Sequence, residues 1–135
     1  MLIHDLFAAI HWLPVGVVTI VSFALGSFWH SPVLFGKAWK KENNYNIPKD
    51  QLNLPLIFGG TALLHFVAMA ALSAVCSDRG AADGLLIGLL ISLVWVLPAL
   101  GGTYLFANKS LKLLAIDAGM YIVLFSVAGL IFGVW

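Results

Sequence analysis

Trp29-His30-Ser31-Pro32-Val33-Leu34-Phe35-Gly36-Lys37-Ala38-Trp39-Lys40-Lys41 is the first place in the chain where positive charge gathers, after an almost unbroken apolar run. Ser31-Pro32 stops one helix and can start another, with serine as N-cap and proline at the first helical position. Leu34, Phe35, Ala38 and Trp39 then interleave with Lys37, Lys40 and Lys41. That mixture fits a short helix lying along a membrane surface, aromatics among the headgroups and lysines toward anionic phosphates. The residues expected at that surface are Trp29, Lys37, Trp39, Lys40 and Lys41. The first membrane helix therefore leaves the bilayer here and the chain turns along its surface.

Composition agrees with this reading. Of 135 residues, 61% are hydrophobic and 10% charged, against about 45–50% and about 25% in a soluble domain. A formal net charge of +1 gives no basis for a nucleic-acid partner. The single cysteine, Cys76, excludes an internal disulfide and lies in an apolar stretch, where it reads as a small hydrophobe. Met1 to Asp5 lacks the basic region of a secretory signal and is expected to be retained.

Outward from the opening stretch, four apolar segments are each long enough for a helix to cross about 30 Å of hydrocarbon, which takes about 20 residues. They cover about 10–30, 54–76, 84–107 and 113–135, with a connector over about 31–53. The fold class is all-α: an integral membrane protein of four transmembrane helices, with a short interfacial helix after the first, in one transmembrane domain. Pro14 lies near the start of the first span, or kinks it if the helix begins near Leu6. Ser22 and Gly26 form a small pair suited to close helix approach. Gly84, Gly88 and Ser92 share a face of the third span, which Trp95, Ala99, Gly102 and Thr103 roughly continue. Pro98 removes a backbone donor in mid-membrane, so the carbonyl of Val94 needs another partner or a local bend. Gly129 and Gly133 repeat at four-residue spacing in the fourth span. These glycines, with Ser92, are assigned to helix packing, within one bundle or between copies.

Lys37, Lys40, Lys41 and Lys49 of the connector and Lys109 and Lys112 of the third loop fall at one end of such a bundle, and only Arg79 at the other. The positive-inside rule then puts both termini outside and the connector in the cytoplasm.

The segment Leu25 to Trp39, Leu-Gly-Ser-Phe-Trp-His-Ser-Pro-Val-Leu-Phe-Gly-Lys-Ala-Trp, resembles the signature of the family called domain of unknown function 1761. Pro98 to Tyr121, with Leu105-Phe106 and Ala118-Gly119, is similar to its second half. The resemblance covers about 10–135 and implies a small four-helix membrane protein, mostly bacterial in occurrence and so of the inner (cytoplasmic) membrane. It implies no activity. The chain departs from the expected pattern at His30 (for tyrosine), Asp117 (for asparagine) and Ala107 (for an acidic residue).

Asp117 is the main candidate for chemistry. A carboxylate near the end of a span is costly unless paired, hydrated or protonated, although a helix N-terminus also favours its charge. His65, near the bilayer centre, can relay a proton or simply bond a neighbouring helix. His30, Thr103, Tyr104 and Asp117 lie at a similar depth, and their convergence would make a polar pocket opening inward. No metal-ligand spacing, nucleophile motif, P-loop or dinucleotide fingerprint occurs. Accordingly no catalytic residue, metal or cofactor is assigned, and an enzyme is the least favoured class. The expected function is an oligomeric transport, channel or ligand-binding role, with membrane lipids and further copies of the chain as partners and a small molecule or ion as substrate. The alternative is a structural, accessory or lipid-interacting envelope protein.

Overall fold

A computed structural model describes residues 2–135. It is an all-helical membrane bundle, with no strand among the described residues. A short helix α1 (Leu2–Ala8) precedes α2 (Trp12–Trp29); α3 (Gly36–Glu42) and a 3-10 turn (Lys49–Gln51) lie in the connector. Then follow α4 (Leu54–Cys76), α5 (Ala81–Ile91), a π-helical turn (Ser92–Val96), α6 (Leu97–Phe106) and α7 (Leu111–Val134). Four helical stretches are long and apolar enough to cross a membrane: α2, α4, Ala81–Phe106 and α7.

Local chemistry explains the boundaries. Pro14 is the third residue of α2, where the missing N–H would have had no helical partner. It therefore does not kink the helix; the chain breaks just upstream, and the His11 N–H donates to Ser73 Oγ at 3.1 Å. Asn53 caps α4 by accepting from the Leu56 N–H, and Ser110 caps α7 by accepting from the Leu113 N–H, each at 3.1 Å. Gly80 precedes α5 at φ 93°, a backbone angle that glycine adopts without penalty. Asp83 falls in the first turn of α5 rather than in the loop, where the helix dipole favours its charge.

Helix α7 is the axis of the bundle and is packed against α2, α3, α4, α5 and α6. Its closest neighbour is α5, and the contact is backbone on backbone. A Cβ on Gly84 would strike the Gly129 carbonyl, one on Gly88 the Phe125 carbonyl, and one on Gly133 the Gly80 carbonyl. The Gly80 N–H donates to the Gly133 carbonyl at 3.0 Å, joining the two helices directly. Burying leucine yields little between helices already in lipid, so close approach and hydrogen bonds have to hold them. Away from this seam, Val15, Val18, Met69, Leu72, Cys76, Ala128 and Phe132 fill the centre of the bundle.

Two expected packing faces come out differently. Gly26 has open space beside it, while Ser22 is buried and bonded to His65. In the third span the seam ends at Ser92. Pro98 lacks the N–H an α-helix needs, and the preceding turn widens to π form, with the Leu97 N–H donating to the Ser92 carbonyl. One extra residue rotates the helix beyond it by about 100°. Trp95, 69% exposed, and Ala99, Gly102 and Thr103, also exposed, therefore leave the face that Gly84, Gly88 and Ser92 occupy.

The seam separates two alanine substitutions. Gly88→Ala forces α5 away from the Phe125 carbonyl and is expected to cost about 1–3 kcal/mol or more. Gly26→Ala meets nothing and is expected to be neutral or to gain up to about 1 kcal/mol from helix propensity. Thermal unfolding of the two variants in one detergent measures the difference.

Candidate functional site

The opening stretch of the sequence becomes the wall of a polar cluster at one end of the bundle. Past Trp29 the chain folds back tightly: the Phe35 N–H donates to the Trp29 carbonyl at 3.1 Å and the Gly36 N–H to the Ser31 carbonyl at 2.9 Å. A Cβ on Gly36 would strike the His30 carbonyl, so the turn requires glycine there. The Trp29 indole N–H donates to the Ile116 carbonyl of α7 at 3.0 Å. Its ring lies 3.3 Å from where a Cβ on Gly119 would stand and packs on Phe35 at 4.8 Å between centroids. Trp29 thus docks the end of α2 on α7.

Asp117, in the second turn of α7, is buried to 9% exposure. Three other elements supply its partners. Tyr104 of α6 donates its hydroxyl to Oδ2 at 2.6 Å. Trp39 of α3 donates its indole N–H to Oδ2 at 3.3 Å. His30, just past the end of α2, places Nε2 3.3 Å from Oδ1. Its other ring nitrogen, Nδ1, faces the Gly26 carbonyl at 3.0 Å. Opposite an ionised Asp117 both ring nitrogens face acceptors, and a doubly protonated imidazole satisfies both. The hydrogen bond to Asp117 accordingly raises the His30 pKa, against an opposing effect of burial.

A second layer fixes the connector to the third loop. Ser110 donates to Glu42 Oε2 at 2.6 Å, Lys112 lies 3.9 Å from Glu42 Oε1, and Lys109 donates to Asn43 Oδ1 at 2.9 Å. These contacts put the connector and third-loop lysines at one end of the bundle.

Of the residues expected to form a pocket, Asp117, His30 and Tyr104 come together; Thr103 and His65 do not join them. Thr103 neighbours Tyr104 in sequence and so points about 100° away around the helix. It is exposed, with its hydroxyl on the Ala99 carbonyl at 3.0 Å. His65 lies deeper, bonded to Ser22 at 2.8 Å and beside the Phe23 ring at 5.7 Å. Trp39 joins the cluster although its sequence context points to the membrane surface; a buried indole N–H needs a partner, but the sequence does not show that this ring is half-buried. Lys37, Lys40 and Lys41 are exposed on α3. Among the described residues no three His, Cys, Asp or Glu side chains gather to hold a metal.

His30 and Trp39 also face a cleft of about 880 Å³ between the connector and α4, whose wall includes Lys40, Tyr45, Lys49 and Ile57. That volume is in the range of small-molecule sites, about 300–1,000 Å³. The arrangement offers a fixed Asp117–His30 pair, aromatic faces and two lysines, with no nucleophile beside a base.

The cluster should hold α3 in a pH-dependent way. The raised His30 pKa means that the stabilisation from its contact with Asp117 is complete below about pH 6.5, the unfolded value. It is lost as pH rises through the higher folded value. Hydrogen exchange of the Gly36–Glu42 amides, corrected for intrinsic rate, is expected to show protection falling over that interval. His30→Gln should flatten the profile, and Asp117→Asn should lower protection throughout.

No curated protein and no solved structure matches the chain. A family model described as protein of unknown function (DUF1761) matches residues 13–133. That match spans both the Trp29–Trp39 turn and the Tyr104–Asp117 pairing, and the chain belongs to this family.

Proposed function

We propose that this multi-pass membrane protein binds a small ligand in the cleft between its connector and α4, next to the Asp117 cluster. The observation that carries the reading is the shared wall: His30 and Trp39 hold Asp117 on one side and line the cleft of about 880 Å³ on the other. A ligand there would meet groups whose positions are set by the bundle itself. Binding fits better than conduction through a single chain, because apolar side chains occupy the centre of the bundle. Transport, if it occurs, then needs several copies or a large rearrangement. Gly84, Gly88, Gly129 and Gly133 are occupied within the chain, so a homo-oligomer would have to use the lipid-facing surface.

One observation favours a second reading. Both oxygens of Asp117 are already engaged by the protein's own donors, as in a purely structural tie within an accessory subunit. Native mass spectrometry from a mild detergent separates the two. The binding reading expects one small molecule or lipid retained per chain and lost in Ile57→Trp, which crowds the cleft. A bare chain, alike in both proteins, would sink it. The same spectrum counts the copies.

The proposed orientation follows the lysines: connector in the cytoplasm and both termini outside, in a bacterial inner membrane. Gln51→Cys, placed in a Cys76→Ala background, should resist a membrane-impermeant thiol reagent applied to intact cells. Labelling from outside would refute the orientation.

A further inference from the structure

We propose that the cleft seats the phosphate of an anionic membrane phospholipid, with Lys40 and Lys49 as its cationic contacts and Leu52 and Ile57 against the lipid's apolar part. The proposal rests on the binding reading above and names the ligand class.

Charge is the first argument. Lys40 and Lys49 line the cleft, and no aspartate or glutamate does. Nearby, Lys112 pairs with Glu42, His30 with Asp117, and Lys109 bonds Asn43, whereas Lys37 and Lys41, also in no ion pair, do not line the cleft. Among the described residues, the ion pairs are His4–Asp5, His11–Asp78, His30–Asp117 and Lys112–Glu42. Lys40 and Lys49 are in none of them. Two unpaired ammonium groups in one wall make a site for an anion, and lysine serves phosphate well as a point charge.

Depth is the second argument, and it favours a lipid over a soluble anion. The lining runs from Lys49 in the connector down to Ile57 and Thr61 of α4. Thr61 is seven residues past Leu54, where α4 begins, which is about 10 Å along the helix. The cleft therefore starts among polar connector residues and continues beside the first two turns of a membrane span. Leu52 and Ile57 line the same cavity as the lysines. A free phosphate has no use for an apolar wall, whereas the glycerol and upper acyl carbons of a phospholipid do.

Position is the third. Lys40 sits on α3, which Trp39 fastens to Asp117. Lys49 sits in the 3-10 turn that leads into the capped start of α4. The two cations come from segments anchored to different helices, so they converge on the cleft rather than lying along one mobile strand of chain.

The test is native mass spectrometry of the full chain in mild detergent with equimolar dioleoylphosphatidylglycerol and dioleoylphosphatidylcholine, and separately with glycerol phosphate. One phosphatidylglycerol per chain should be retained in preference to phosphatidylcholine. Lys40→Ala with Lys49→Ala should lower that retention ~10-fold or more, two lysine contacts being removed. Lys37→Ala with Arg79→Ala, which removes the same charge outside the cleft, should leave it unchanged. Equal retention of the two lipids, an equal fall in the control pair, or capture of glycerol phosphate in place of lipid would overturn the proposal. If some other molecule is retained and is lost in Ile57→Trp, the ligand class fails while the cleft stands as a binding site. If nothing retained depends on Ile57, both fail.

Discussion

A carboxylate held inside the end of a membrane bundle has to draw its donors from the protein, and Asp117 draws them from three directions. Tyr104 arrives from α6, Trp39 from the connector and His30 from the end of α2, while Asp117 itself belongs to α7. Leaving such a group unpaired would cost far more than any one of these hydrogen bonds contributes. The four segments are therefore coupled: displacing one strands a charge that the others also hold. The imidazole opposite Oδ1 is placed to carry a compensating positive charge, and its contacts with Asp117 and the Gly26 carbonyl both favour the protonated form.

The other end of the same helix works by a different principle. Between α7 and α5 there are no charges and little side chain, only carbonyls and α-carbons brought together because glycine leaves room. Lipid offers apolar side chains nothing they lack inside the protein, so contact distance and interhelical hydrogen bonds decide whether helices associate. One helix thus joins a dry backbone seam to a polar knot. The π turn at Ser92–Val96 marks where the seam stops. Beyond it α6 turns through about 100°, and Tyr104 reaches Asp117 from that rotated segment.

The connector gains its form from both ends of this arrangement. Trp29 and Gly36 make the reversal after α2, Trp39 binds inward, and Glu42 is tied to the third loop. Two of its unpaired lysines, Lys40 and Lys49, face the cleft beside α4, where they meet apolar residues at the start of a span. The binding reading and the lipid proposal both follow from that leftover surface, since the polar knot has satisfied its own groups.

The sequence by itself determined the fold class and the membership. Runs of about 20 apolar residues admit no other secondary structure in lipid, and the Trp29–Trp39 pattern carried the family resemblance. Serine and asparagine caps, and the disturbance at Pro98, were legible because they depend only on neighbours along the chain. Depth was legible too: counting residues put His30, Tyr104 and Asp117 at one level. What only the tertiary structure decided was rotation. Thr103 has the same depth as Tyr104 but points elsewhere, Trp39 turns inward from an interfacial pattern, and the glycine faces close within the chain. The hydrophobic pattern is too uniform around these helices to say which side faces a neighbour, and one π turn suffices to shift a whole segment's face. Azimuth is settled by packing among helices, and no single helix contains that information.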